Sequence, residues 1–248
     1  MVAHQSDDRT AHLMGYRVDC VDCAQALAMV SQKVSAGKNA HVVTLNPEML
    51  MQGDQNPELG RILRRADLCI PDGAGLVWAL RRQGATVQRL PGIEFSEALL
   101  AESARQGWKV AIIGAQPAVL NAAVDAVQTR YPGMNLVYSH HGFFASDADQ
   151  DEIARTCAGR DPTVVLVALG VPRQEQWIDR YAPLFRGTVF VGVGGSLDVW
   201  SGQTQRAPAW MRALNLEWLY RITSEPWRIQ RVMKTLPQFV WRVLSQPL

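Results

Sequence analysis

The chain has 248 residues, 48% of them hydrophobic and 19% charged, with a formal net charge of +2. Those proportions belong to an ordinary globular protein with room for one sizeable core, and they exclude a disordered chain or a disulfide scaffold. No run reaches the ~18 to 20 apolar residues of a membrane-spanning helix, and the polar start is unlike a secretory signal, so the body is expected to fold in the cytoplasm.

Residues 1–12 read as a mobile polar tail. A short strand at residues 15–19 precedes a helix over residues 21–36, where Val21, Ala24, Leu27, Ala28, Val30 and Val34 recur at helical spacing and Gly37 marks the end. Residues 40–45 form the next strand. A helix follows over residues 48–64, interrupted near Asn56 and Pro57, then a strand at 67–70 and helices over 73–82 and 93–105. The apolar run at 108–113, a turn at Gly114, Ala115, Gln116 and Pro117, and a helix to residue 131 repeat the strand, turn, helix order of a βαβ unit.

Another unit comprises a strand at 135–138, a loop with His140 and His141, and a helix from about Asp147. Strands at 163–169 and 188–193 flank a helix over 172–181. Six or so strands alternating with helices predict an α/β fold with a mostly parallel, Rossmann-like sheet covered on both faces. No internal repeat is visible. Beyond Arg206 only helices are expected: Ile229, Val232, Met233 and Leu236 share one face, and Pro237 starts a last short segment. The division is thus a tail (1–12), an α/β body (13–205) and a helical appendage (206–248) that docks elsewhere.

Charge sets the appendage apart. It holds seven basic and two acidic residues, against 18 and 21 in the rest, together with Trp210, Trp218, Trp227 and Trp241, half of the tryptophans. A basic, tryptophan-rich end suits an anionic membrane surface or a lipid diphosphate better than nucleic acid.

Two strand ends carry candidate chemistry. Val42 through Glu48 and Asp67 through Gly75 each pass from an apolar run into small polar residues and then a helix. Ligands in open α/β sheets bind beyond the carboxyl ends of strands, so Thr44, Asn46 and Asp72 are expected in one pocket. Asp72 can take a proton from a hydroxyl, since carboxylates are ordinarily ionised near neutral pH; its structural alternative is a helix N-cap. Asn46 before Pro47 is also a natural N-cap, and Glu48 reads as first-turn helix charge. The turn at Gly192, Gly194 and Gly195 can bring backbone donors close to a diphosphate. It is not the dinucleotide fingerprint, because Leu197 stands where the third glycine would fall. Gly114 is the other candidate turn.

Asp147, Asp149 and Asp151 have the spacing of a divalent-ion site, but Ser146 followed by acids is also what a helix start favours. Cys20 and Cys23 form a CxxC before a helix, as in a thioredoxin-like site, although Cys69 and Cys157 supply no second pair for zinc.

Five motifs in order carry a resemblance: Thr44-Leu45-Asn46-Pro47-Glu48; Pro71-Asp72-Gly73; Leu169 through Pro172 to Gln174 and Glu175; Gly192 through Gly194 and Gly195 to Asp198; and Arg206-Ala207-Pro208 through Leu216-Glu217-Trp218-Leu219-Tyr220-Arg221. Over residues 13–248 the chain resembles the WecG/TagA/CpsF family of bacterial glycosyltransferases. The resemblance implies an inverting enzyme that moves an N-acetylmannosamine-type sugar from a UDP-sugar to a polyprenyl-diphosphate-linked sugar in cell-surface polysaccharide synthesis, without metal or other cofactor. Asp72 would be the base, Thr44 and Asn46 would hold sugar, and Gln174, Gly114, Gly194, Gly195 and Asp198 would face the nucleotide. Arg173 stands where the family often has lysine. Arg206, Arg221, Arg228 and Arg231 are candidates to neutralise diphosphate. The family's appendage closes over the site and reaches the inner face of the plasma membrane, and a movable tail leaves an apolar surface that a homo-oligomer could share. The rival readings are a metal-dependent transferase using Asp147 and Asp149, a membrane-tethered nucleotide-sugar binding protein without catalysis, and a thioredoxin-like oxidoreductase.

Overall fold

The structure, a computed structural model, describes residues 9–214, 216–224 and 228–245; the side chains of residues 221–224 and 228–232 lie outside that description. It opens with a hairpin of two antiparallel strands, β1 (Thr10–Leu13) and β2 (Tyr16–Asp19). The turn residues Met14 and Gly15 have φ of 53° and 77°, the handedness that matches the twist of paired strands. β1 therefore begins inside the stretch read as a polar tail. Its sequence has little alternation of its own, and pairing with β2 makes it a strand. Asp19 accepts from the Cys69 N–H at 2.7 Å, so the hairpin covers an edge of the main sheet.

α1 (Cys23–Ser35) starts at Asp22 with a reciprocal capping box to Gln25. β3 (Ala40–Leu45), α2 (Pro47–Gln55), α3 (Pro57–Arg65), β4 (Leu68–Pro71), α4 (Ala74–Arg82) and α5 (Gly92–Gln106) follow. Asn46 and Asn56 each cap a helix whose first residue is proline, which makes the expected interruption a boundary between two helices. Next come β5 (Lys109–Gly114), α6 (Pro117–Arg130), β6 (Asn135–His140), α7 (Asp147–Ala158), β7 (Val164–Ala168), α8 (Arg173–Tyr181), β8 (Val189–Gly192) and α9 (Ser196–Trp200). β6 runs two residues beyond the expected strand, so His140 ends it instead of standing in a loop.

The main sheet has six parallel strands in the order β4-β3-β8-β7-β5-β6. The α/β architecture is as the strand and helix alternation implies. Successive residues enter opposite cores: Val42 and Val43 in β3 separate to two faces, as do Ile112 and Ile113 in β5. Both faces are covered, and this is why the strands read as continuous apolar runs.

The chain ends in α10 (Ala209–Ala213), α11 (Glu217–Ser224) and α12 (Arg228–Ser245). Two expectations are corrected here. Pro237 lies inside α12 and starts no new segment. The appendage also docks on the body itself, since Phe239 (0% exposed) and Val243 (4%) enter the core formed by β3, α2 and α4. An interior proline costs about 3 kcal/mol, and burying two such side chains, at about 1.5–3 kcal/mol for each, offsets it. Arg242 adds an ion pair with Asp54 of α2. Among the described residues, no helix is long and apolar enough to cross a membrane.

Candidate active site

Above the carboxyl ends of β3, β4, β7 and β8 lies a cavity of about 760 Å³, a volume suited to a small-molecule ligand. Thr44, Asn46, Asp72, Gln174, Gly194 and Gly195 all line it. The register explains the convergence of the first three. Thr44 pairs with Ile70 and Leu45 with Pro71, so β3 and β4 end side by side and release Asn46 and Asp72 at the same level. Pro71 is tolerated because β4 is an edge strand.

Asp72 does not cap α4, the helix that follows it. The N-cap of α4 is Gly73, with no side-chain hydrogen bond, and its φ of 93° favours glycine. The Asp72 carboxylate turns the other way, and its Oδ2 accepts from the Gly92 N–H at 3.2 Å. Gly92 is the first residue of α5, so the carboxylate rests against the positive end of a 15-residue helix. Backbone bonds fix this corner: Asp72 N–H donates to Leu45 O and Leu90 N–H to Pro71 O, both at 2.8 Å. A Cβ on Gly92 would stand 2.9 to 3.0 Å from the Thr44 side chain. α5, Thr44 and Asp72 therefore form one close-packed unit.

Asn46 combines two duties. Its Oδ1 accepts from the Met49 N–H at 3.0 Å to cap α2, and it remains in the cavity wall. Glu48, in the first turn of α2, also lines the cavity and takes a hydrogen bond from Gln52 at 3.0 Å. Gln174 is 3% exposed. Its Oε1 accepts from the Gly194 N–H at 3.0 Å, and its Nε2 donates to Glu175 Oε1 at 2.7 Å. Arg173 folds back onto Leu169 O.

Other expected residues stand apart. Gly114 does not line the cavity, because β7 separates β5 from β8 and carries the β5 turn one strand away. Its role is close approach: φ is 136°, and a Cβ would lie 2.3 Å from Ala168 O. Asp198, in α9, lies beside Gly195 but outside the lining. Arg206 does not line the cavity, and its guanidinium bonds Glu94 at 2.9 Å and Glu217 at 3.3 Å. The side chains of Arg221, Arg228 and Arg231 lie outside the described residues.

Sequence reading missed Arg89. It lines the cavity, 13% exposed, with its guanidinium 3.3 Å from Glu217. The signal for it is the absence of a strand between α4 and α5: an irregular connection carrying Arg89, Pro91 and Gly92 beside a candidate base has reason to be functional. Glu217 and, from α12, Thr235, Leu236 and Val240 complete the wall. A second opening of about 720 Å³ shares Ala74, Trp78, Arg89 and Pro91 with the first, and Arg81 and Arg212 reach it.

The acids of the metal reading have structural duties instead, and the thiols of the redox reading are shifted away from reactivity. Ser146 caps α7 and Asp149 accepts from Ala145 N–H, while Asp151 pairs with Arg180 and Tyr181. None of these acids lines the cavity. Burial first, then Asp19 and Asp22 respectively, pushes the Cys20 and Cys23 thiols up, the reverse of what a reactive thiolate needs.

A parallel α/β sheet with an acid, a threonine and an asparagine at a switch-point crevice defines a small-molecule enzyme site. A sequence profile of the glycosyl transferase WecG/TagA/CpsF family matches residues 11–248. The N-acetylglucosaminyldiphosphoundecaprenol N-acetyl-beta-D-mannosaminyltransferase of Bacillus spizizenii is 36% identical over 209 residues, covering 84% of this chain and 80% of that protein. Its namesake in Bacillus subtilis is 32% identical over 218 residues, 88% and 82% of the two chains. A Staphylococcus aureus protein of the same name is 34% identical over 206 residues, 83% and 80%. The chain belongs to the WecG/TagA/CpsF family and is a glycosyltransferase. That membership removes the binding-only and thioredoxin-like readings.

Proposed function

We propose that this enzyme transfers an N-acetylmannosamine-type sugar from a UDP-sugar to a polyprenyl-diphosphate-linked acceptor sugar, with inversion. The acceptor is of the class that the relatives' names state. The observation that carries the reading is the Asp72 carboxylate, held on the Gly92 N–H and facing the same cavity as Thr44 and Asn46.

In this reading the acceptor hydroxyl attacks the anomeric carbon from the side of Asp72. The carboxylate takes the hydroxyl proton as the new bond forms, and the bond to the nucleotide diphosphate breaks on the opposite face. Thr44 and Asn46 orient the sugar. Gln174, Gly194 and Gly195 border the nucleotide, and Arg89 supplies positive charge for the leaving diphosphate.

Residues 206–248 form the part that meets the acceptor's membrane. Trp210, Trp218, Leu219, Met233, Trp241 and Leu244 are exposed, and such aromatic and aliphatic side chains beside basic ones suit binding to the inner leaflet. The test is UDP release from a panel of UDP-sugars with a short-chain lipid-diphosphate acceptor, in chelator. Turnover with one donor supports the reading. Turnover only after metal is restored favours the metal-dependent alternative, and turnover with donors of another nucleotide overturns the UDP assignment.

A further inference from the structure

Glu175 has no part in the chemistry described so far, yet it is 1% exposed, and its Oε2 is buried without a hydrogen-bond partner among the described residues. Taking a carboxylate out of water is unfavourable unless it is paired. Its other oxygen, Oε1, accepts the 2.7 Å hydrogen bond from Gln174 Nε2. We propose that Glu175 is a positioning residue of the transfer site: its carboxylate fixes which way round the Gln174 amide lies, and through that amide holds the turn at Gly194 and Gly195. The inference rests on the reading of that turn as the nucleotide side of the cavity.

A primary amide is nearly symmetric in shape but opposite in chemistry at its two ends, one accepting and one donating. Gln174 sits between two partners. On one side the Gly194 N–H, 3.0 Å from Oε1, can only donate; on the other the Glu175 carboxylate, once ionised, can only accept. Turned by 180°, the amide would set its NH2 against the Gly194 N–H and its oxygen against a carboxylate. Both contacts would become repulsive. An apolar residue at 175 would remove one of the two preferences and leave the weaker, neutral bond to Gly194 to choose alone.

Glycine makes the arrangement possible. A Cβ on Gly192 would lie 2.4 Å from Gln174 Nε2 and 3.1 Å from Glu175 Oε1, so the pair lies directly on bare β8 backbone. Gly194, two residues further on, has φ of 49°. Its backbone conformation is one that glycine adopts easily in either state, which leaves the hydrogen bond from Gln174 to select it.

The experiment uses the full chain with Glu175→Met, Glu175→Gln and Gln174→Met, and reads hydrogen exchange at the Gly194 amide, UDP affinity by calorimetry, and donor and acceptor KM. Glu175→Met should raise Gly194 exchange and weaken UDP and donor binding by about tenfold, the scale of one lost bond to a charged group, with acceptor KM unchanged. Glu175→Gln keeps a hydrogen-bonding partner for Gln174 but can present either end of its own amide, so its UDP affinity should fall between those of wild type and Glu175→Met. In the Gln174→Met background, Glu175→Met should have no further effect on UDP affinity, since residues acting through one another are not additive. Equal UDP affinity and Gly194 exchange in wild type and Glu175→Met would overturn the proposal, as would Glu175→Gln failing as badly as Glu175→Met. Wild type that binds no UDP would refute the nucleotide reading instead, and the Gly194 exchange of the three variants would still decide the role of Glu175.

Discussion

The docking of α12 is open to a direct test by Phe239→Ala. This helix contributes Thr235, Leu236 and Val240 to the cavity wall, and its fully buried anchors are Phe239 and Val243. At about 1.5–3 kcal/mol for each buried side chain, the two supply about 3–6 kcal/mol of docking. Truncating a buried phenylalanine to alanine removes about 3–5 kcal/mol, nearly all of it. The loss is confined to an element at the chain end, so α12 should release while the sheet stays folded. A shift of about 3 kcal/mol in a local opening raises the open population by about 100-fold. Limited trypsin digestion should therefore cut at Lys234 and Arg242 about 100 times faster than in wild type, with the main melting transition retained and sugar transfer reduced. Cutting within about threefold of the wild-type rate, where protection tracks local opening, would refute the assignment of Phe239 as the anchor.

Gly92→Ala places a methyl group 2.9 to 3.0 Å from Thr44 atoms at the start of α5, and the displacement should lower kcat by up to about 100-fold, the cost of a misplacement of about 1 Å, with wild-type kcat as the contrary result. Two buried groups give pH signatures of opposite sign. Burial pushes the Glu175 carboxyl up to about 7, above its ordinary 4.5, so the folded state opposes its ionisation; the penalty is absent below about pH 4.5 and complete above about pH 7. Glu175→Gln should therefore raise the melting temperature at pH 8 and leave it unchanged at pH 4, the difference corresponding to about 3 kcal/mol. The His41 imidazole, its Nε2 sealed without a partner among the described residues, is pushed down to about 4 from 6.5, mainly by burial. Its penalty grows as pH falls through that window, so His41→Gln should gain at pH 4 and not at pH 8. Equal shifts at both pH values, in either variant, would contradict the assignment.

The sheet and its site are legible in the sequence to different depths, for physical reasons. Apolar runs ending in Asn46 and Asp72 mark strand ends, and parallel register does the rest, since neighbouring strands that end together place their last side chains together. Gly114 ends a strand in the same way, but its distance from the cavity depends on β7 entering the sheet between β5 and β8, a non-local event that no local pattern records. Arg89 belongs to a connection with no periodicity. Arg206 is legible as a basic residue, but its carboxylate partners Glu94 and Glu217 are brought in by folding. Pro237 by its local chemistry should break a helix, and tertiary burial of Phe239 two residues later overrides that preference.

Proton removal by Asp72 is the step on which the proposed transfer rests. Asp72→Asn retains an oxygen for the Gly92 N–H but cannot serve as a base at neutral pH, so its UDP affinity and its single-turnover rate of sugar transfer should part company. UDP binding should stay within about twofold of wild type while the rate falls by about 10² to 10⁴, the range for loss of a general base. A transfer rate within about tenfold of wild type, below that range, would contradict the role of Asp72 and assign proton removal to another group.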